Sequence, residues 1–101
     1  MLDVQLLARA EQEVKEAYAW YEEKQQGLGE RFLTQIDRYL SFIGSNPYVY
    51  PSRYGNELHV APVKLFPYLI VYWVDESKKI VFVVSVFHTS RKPEDFKERD
   101  N

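Results

Sequence analysis

The sequence contains no cysteine among its 101 residues. A chain without cysteine forms no disulfide bond, offers no thiolate ligand for zinc and has no thiol nucleophile. The two histidines have no third ligand at the spacing that a metal site uses. We therefore expect neither a metal ion nor another cofactor.

An excess of positive charge is also absent. Lys and Arg number 13 against 15 Asp and Glu, so the formal net charge is −2. Proteins that bind nucleic acids generally present a net basic surface or a basic stripe, and we therefore expect no general nucleic-acid binding. The charge is unevenly divided, since residues 1–26 carry a net charge of −3 and residues 52–101 one of +1.

No apolar run approaches the length of a membrane-spanning helix, and the longest, over residues 80–87, is interrupted by Ser85. Asp3 stands where a signal peptide would have its basic region. These features predict a soluble, cytoplasmic protein that does not associate with membranes. The length predicts a single domain over residues 1–101.

The hydrophobic pattern predicts a strand followed by a helical hairpin. Residues 2–6 alternate apolar and polar side chains, as a strand does. Residues 8–26 and 28–44 each carry an apolar stripe at helical spacing, and the short break between them favours antiparallel packing. Gly44 fits the position just past the end of the second helix. Six side chains are expected to anchor the hairpin to a sheet: Val14, Tyr18, Tyr21, Phe32, Ile36 and Leu40.

The opposite face of the first helix is rich in acidic residues. Its charged side chains are Glu11, Glu13, Lys15, Glu16, Glu22 and Glu23. So many charges on one face indicate contact with solvent. We therefore expect alanine substitutions at Glu13 and Glu16 to leave partner binding unaffected.

Three strands are expected in the second half of the chain. Residues 58–65 form the weakest, and Pro62 restricts that strand to a sheet edge or a bulge. Residues 68–74 form a strong strand, and the polar residues 75–79 suit a hairpin turn. Residues 80–87 are apolar on both alternating faces and are expected to form the central strand, covered on both sides.

Five short motifs spread over nearly the whole chain form a recognisable series. They are Trp20-Tyr21-Glu22, Gly27-Leu28-Gly29 with Phe32, Asn46-Pro47, Phe66-Pro67-Tyr68 and His88-Thr89-Ser90-Arg91-Lys92-Pro93. In this order they resemble the RelE/ParE superfamily of toxins from bacterial type II toxin–antitoxin, or plasmid stabilisation, systems. The resemblance implies an α+β fold with the element order β-α-α-β-β-β. An N-terminal helical hairpin would pack on a four-stranded, mostly antiparallel sheet with the first strand beside the last.

The resemblance also implies a cognate antitoxin, encoded by the adjacent gene, and a cellular target. RelE-like members of the superfamily cleave messenger RNA on the ribosome, and ParE-like members inhibit DNA gyrase. The positions of the catalytic Lys, Arg and Tyr residues in RelE-like ribonucleases fall here on Val60, Pro62, Leu69 and Phe96. None of these side chains transfers a proton or neutralises a phosphate. We therefore expect a ParE-like toxin that acts by binding a protein.

Two alternatives stay open at this point. A RelE-like endoribonuclease would need a rearranged site of Lys64, His88 and Arg91, with His88 as the acid and the cations on the phosphate. His88 would otherwise close its strand through hydrogen bonds to the neighbouring backbone. The other alternative is a degenerate, non-toxic member that keeps only the antitoxin-binding surface.

A cationic patch is expected where the chain leaves the sheet. Arg91 and Lys92, together with Lys64 and Arg53, would meet an acidic segment of the antitoxin. The strand that contains Pro62 is expected to present unpaired backbone groups at a sheet edge. An antitoxin segment would then add a strand or a helix at that edge.

Overall fold

A mixed sheet and two helices make up the computed structural model, which describes residues 1–53 and 57–90. The elements are β1 (Asp3–Leu6), α1 (Ala8–Lys24), α2 (Leu28–Ser45), β2 (Ser52–Arg53), β3 (Leu58–Pro62), β4 (Tyr68–Asp75) and β5 (Ile80–His88). The strand order in the sheet is β1-β5-β4-β3-β2. β1 runs parallel to β5, and every other neighbouring pair is antiparallel.

This topology confirms the α+β fold with the first strand beside the last. β5 lies inside the sheet between β1 and β4, although the middle position belongs to β4. The structure adds a fifth strand to the four expected, because β2 pairs Ser52 with His59 and Arg53 with Leu58. A strand of two residues carries no periodic signal, so the sequence pattern did not reveal it.

β3 is not the edge strand that Pro62 led us to expect. β2 pairs with its first two residues, and the backbone donors that follow on the same side are used or missing. The N–H of Val60 donates to the carbonyl of Pro51 at 3.4 Å, and Pro62 has no N–H. Just after the strand, the N–H of Lys64 donates to the Tyr39 hydroxyl at 2.9 Å. The strand addition expected here therefore finds no free donor along this stretch.

The hydrophobic core lies between the two helices and one face of the sheet. Its buried members include Ala10, Ala17, Tyr21, Phe32, Ile36, Ile43, Ile70, Tyr72, Val81, Val83 and Val86. At one end of this core, four rings form an aromatic cluster: Tyr21, Phe32, Phe66 and Tyr68, with centroids 5.0–6.2 Å apart. The cluster joins both helices to the start of β4.

Five of the six predicted anchors pack against this core. Tyr21, Phe32 and Ile36 are buried, and Val14 and Leu40 are partly buried against them. Tyr18 differs, because it lies at the contact between the helices and its hydroxyl donates to Glu30 at 3.1 Å. This hydrogen bond to a carboxylate raises the pKa of Tyr18. Within the described residues, neither helix is both long enough and apolar enough to cross a membrane.

Gly44 lies inside α2, so the prediction that it follows the end of the helix is wrong. Asn46 is the C-cap residue instead. A Cβ atom at Gly44 would lie 3.0 Å from the carbonyl oxygen of Leu2 and 3.2 Å from Cγ2 of Val4. The carbonyl of Gly44 also accepts a hydrogen bond from the N–H of Leu2 at 2.9 Å. Glycine is needed here because the end of α2 approaches β1 so closely.

The start of α2 is capped from the end of α1 by Glu22. Its carboxylate accepts the N–H of Gly29 at 2.8 Å and that of Glu30 at 3.4 Å. These donors belong to the first turn of a helix, where no backbone carbonyl can reach them, and a negative charge is favourable at this end. Glu22 therefore has a structural contact that its assignment to a solvated face did not include.

Replacing Ile36 with Ala is expected to lower the free energy of unfolding by about 2–5 kcal/mol. The side chain is 2% exposed in the core, so its loss would leave a cavity under the sheet. Urea denaturation followed by circular dichroism measures this change. The control is Ser41→Ala at an exposed position of α2, which should shift the value by less than about 0.5 kcal/mol. Equal stability of Ile36→Ala and the unchanged chain would contradict the assignment of this helix face to the core.

Candidate functional site

The face of the sheet turned away from the helices, called the distal face below, is apolar at its centre. Its central cluster consists of Val60, Val71 and Phe87, with Leu58, Leu69 and Val84 packed against them. Trp73 and Phe82 extend it, with rings stacked at 5.1 Å and inclined by 27°. All of these side chains come from strands, and none carries a charge. These side chains form a second hydrophobic cluster, in which Val60, Val71 and Phe87 are buried.

The strand register places three of the predicted ribonuclease positions on the distal face. Val60 lies opposite Val71, and Pro62 lies opposite Leu69. Residues paired in this way point to the same side of a sheet. Phe96, the fourth position, lies outside the described residues. At the three described positions there is no base for a ribose hydroxyl and no cation for a scissile phosphate.

His88 ends β5 and makes local contacts. Its Nδ1 atom accepts the N–H of Ser90 at 3.1 Å and lies 2.8 Å from the Ser90 hydroxyl oxygen. Its ring meets Tyr68 edge to face, with centroids 5.3 Å apart. Because Nδ1 is the acceptor here, the neutral ring carries its proton on Nε2. This is the geometry expected of a histidine that closes its strand through neighbouring groups.

Lys64 lies in the loop between β3 and β4, and α2 fixes its backbone. Its N–H donates to the Tyr39 hydroxyl, and its carbonyl accepts the amide of Gln35 at 3.0 Å. The side chain itself is exposed. Antiparallel pairing puts the end of β3 and the end of β5 at the same end of the sheet. Lys64 and His88 therefore share one end of the molecule.

The other predicted cations are not brought to that place in the described structure. Arg53 lies in β2 opposite Leu58, at the start of β3. From Leu58 to Lys64 an extended chain covers about 20 Å. Arg91 and Lys92 lie outside the described residues. Of the predicted site residues that lie within 1–53 and 57–90, the structure thus brings Lys64 and His88, but not Arg53, to the same end of the sheet.

Residues 4–93 match the family model described as the ParE toxin of the type II toxin–antitoxin system parDE. The chain belongs to the ParE toxin family. The match includes α1, α2 and all of the strands from β2 to β5. No curated protein matches the sequence.

Solved toxin structures share the ParE-family fold of this chain. The chromosomal ParDE system from P. aeruginosa gives a TM-score of 0.74 at 10% identity, over 87% of this chain and 96% of that chain. The isolated E. coli RelE toxin gives 0.70 at 20% identity, over 99% and 97%. A chain of the intact E. coli RelBE toxin–antitoxin complex gives 0.71 at 22% identity, over 90% and 100%. At these identities the similarity is one of fold.

Glu13 of this ParE-family chain is buried, so its assignment to the solvated face of α1 is wrong. It is 8% exposed. Its Oε1 accepts the Ser85 hydroxyl at 2.7 Å and the N–H of Val86 at 3.0 Å, and Arg9 lies 3.7 Å from its Oε2. The register of β5 against β4 shifts just before these residues, as at a β-bulge. A carboxylate from α1 therefore satisfies polar groups beside an irregular part of the sheet.

A sequence signal for the burial of Glu13 exists in the spacing of α1. Glu13 follows Ala10 by three positions and precedes Ala17 by four, so it belongs to the stripe that faces the core. The number of acidic residues in α1 led to the assignment of all of them, including Glu13, to the solvated face. Glu11 and Glu16 are exposed as expected.

The second histidine, His59, also has a structural environment. Its ring stacks on Tyr72 with centroids 5.1 Å apart, and its Nδ1 lies 2.8 Å from the carbonyl oxygen of Tyr50. The Tyr72 hydroxyl donates to the carbonyl of Pro47 at 2.8 Å, and burial raises the pKa of Tyr72 to about 12. Among residues 1–53 and 57–90, no three His, Asp or Glu side chains are grouped closely enough to hold a metal ion.

Replacing Glu13 with Ala is expected to reduce the free energy of unfolding by about 1–3 kcal/mol. The Ser85 hydroxyl and the Val86 N–H would lose their acceptor in a buried place. Glu13→Gln should lose less, because the amide oxygen still accepts a hydrogen bond. Glu16→Ala, at an exposed position one turn away, serves as the control in the same urea titrations. A Glu13→Ala variant as stable as Glu16→Ala would show that the buried contact contributes nothing.

Proposed function

We propose that this ParE-family chain is the toxin of a type II toxin–antitoxin module and that it acts by binding a cellular protein, DNA gyrase. A cognate antitoxin encoded by the adjacent gene neutralises it. The observation that carries the choice of mechanism is the apolar distal face. Val60, Pro62 and Leu69 stand at the positions where RelE-like members carry the groups that cleave RNA.

Electrostatic considerations support protein binding over RNA cleavage. Cleavage of a phosphodiester needs charged groups placed around the scissile phosphate before the reaction begins. The aliphatic side chains of the distal face carry no charge. Nδ1 of His88 already accepts a hydrogen bond from the N–H of Ser90. Large apolar side chains that are exposed elsewhere on the described part of the chain, such as Trp20, Phe42 and Leu65, instead favour a protein partner, because binding removes their apolar surface from water.

Purified chain is expected to inhibit DNA supercoiling by gyrase and to leave ribosome-bound messenger RNA intact. The two assays are run at the same toxin concentration, with E. coli RelE as the positive control for cleavage. His88→Ala should inhibit gyrase as well as the unchanged chain, because the ring makes only local contacts. RNA cuts that disappear in both His88→Ala and Arg91→Ala would overturn the proposal in favour of an endoribonuclease.

Neutralisation is tested in cells. Expression from a tightly repressed promoter should arrest growth, and co-expression of the adjacent gene should restore it. The two proteins should then co-purify, and high salt should weaken the complex because the charges that steer its formation are screened. Normal growth with a stable complex would indicate a non-toxic member that keeps only its antitoxin-binding surface.

A further inference from the structure

A groove runs along the outer side of α2, between this helix and the loops that carry Leu65 and Tyr50. It consists of two adjoining clefts of about 480 and 390 Å³, which share Gln35 and Arg38. The side chains that define this α2 groove are Leu28, Arg31, Arg38, Phe42, Tyr50 and Leu65. It lies beside β3 and is separate from the distal face of the sheet.

Two arginines line the α2 groove, and an exposed lysine stands in the loop beside it. Arg31 and Arg38 are two helical turns apart on one side of α2, and Lys64 stands in the facing loop. In the described part of the chain, none of these three cations has a carboxylate within 4.0 Å. Glu30 is the one acidic residue among the described groove-lining side chains. Unpaired cations on a chain of net charge −2 attract an acidic partner to this side.

One end of the α2 groove displays an exposed leucine whose backbone is strained. Leu65 is 83% exposed, and its φ of 78° lies in the left-handed region that leucine rarely adopts. Hydrogen bonds from Gln35 and to Tyr39 hold the preceding residue, Lys64, in place. Strain of this kind persists where the surroundings impose it, and it is common at binding sites. The backbone that presents Leu65 is therefore held in place before a partner binds, which lowers the entropy cost of contact.

The other end of the α2 groove is aromatic. Phe42 is 46% exposed, and its ring lies 6.3 Å from that of Tyr50. Arg31 lines the same cleft as Leu65, and from Arg31 to Phe42 the helix rises by about 16 Å, roughly three turns. Arg38 lines both clefts and lies between the two apolar ends. This alternation suits a protein segment better than a nucleic acid, whose phosphates would meet Leu65 and Phe42 at the ends.

We propose that the α2 groove binds an acidic segment of the antitoxin that carries a large apolar side chain near each end. Carboxylates of that segment pair with Arg31, Arg38 and Lys64, and its apolar side chains contact Leu65 and Phe42. The identity of the partner rests on the function proposed above. The choice of the α2 groove as the binding surface is independent of that function, because it follows from the cations, the exposed apolar side chains and the strained backbone of Leu65.

The charge contribution is tested with a double variant, Arg31→Glu with Arg38→Glu. Titration calorimetry with the purified product of the adjacent gene should show at least about tenfold weaker binding and a smaller dependence on salt. The matched control is Lys15→Glu with Lys78→Glu, which makes the same change in net charge at exposed positions outside the groove. Equal losses in both double variants would show a general charge effect and would overturn the assignment.

The apolar contribution is tested with Leu65→Gly. Glycine adopts the left-handed conformation without strain, so the variant should melt at the same temperature as the unchanged chain or higher. Its binding should nevertheless weaken by about tenfold, since an exposed anchor has been removed. This combination separates a binding role from a structural one. Unchanged affinity in Leu65→Gly would overturn the inference.

The outcomes also separate the groove from the function proposed above. If the unchanged chain binds the product of the adjacent gene and all groove variants bind it equally well, the groove is wrong and the toxin–antitoxin proposal stands. If the unchanged chain does not bind that product, both proposals fail. Binding of a single-stranded RNA that is lost in Arg31→Glu with Arg38→Glu, without antitoxin binding, would reassign the groove to nucleic acid.

Discussion

The contact among four aromatic rings determines how the helices sit on the sheet. Tyr21 comes from α1, Phe32 from α2, Phe66 from the loop before β4 and Tyr68 from β4 itself. Separating these large rings would expose much apolar surface to water, and most of the pairs meet edge to face, an arrangement that adds to the stabilisation. With this contact made, the loop from Val63 to Pro67 is held beside α2. The groove there and the end of the sheet near His88 both depend on it.

Much of the fold was predictable because its signals are local. The apolar stripes of the helices and the alternation in β4 and β5 are visible within a few residues. The four side chains of the aromatic cluster all belong to the motifs on which the family resemblance is based. The resemblance therefore reflects a contact that holds the fold together. What was missed depends on distant partners. Glu13 accepts a hydrogen bond from Ser85, which is 72 residues away in the chain. Gly44 has no room for a side chain because the carbonyl of Leu2 lies so close.

The site was predictable to a smaller extent, for a related reason. Pro62 and Leu69 share the distal face because the strand register follows the hydrophobic pattern. The cations were harder to place, since net charge along the chain assigned them to the sheet half. Arg31 and Arg38 lie on the same side of the molecule as Lys64 because α2 packs against the loop that follows β3. The arrangement of charges on the surface depends on tertiary packing, so it cannot be predicted from residue spacing within one segment. A fold common to RelE and ParE also leaves function to the side chains placed on it.

The absence of free donors along the later part of β3 bears on self-association. An exposed edge strand allows copies of a chain to pair edge to edge into a larger sheet, and proteins commonly cover such an edge. Here the N–H of Val60 donates to the carbonyl of Pro51, and Pro62 has no N–H. A second copy approaching along this stretch would find acceptors without donors and could form only half of a ladder. The later part of β3 is therefore poorly suited to joining copies of this chain into a continuous sheet.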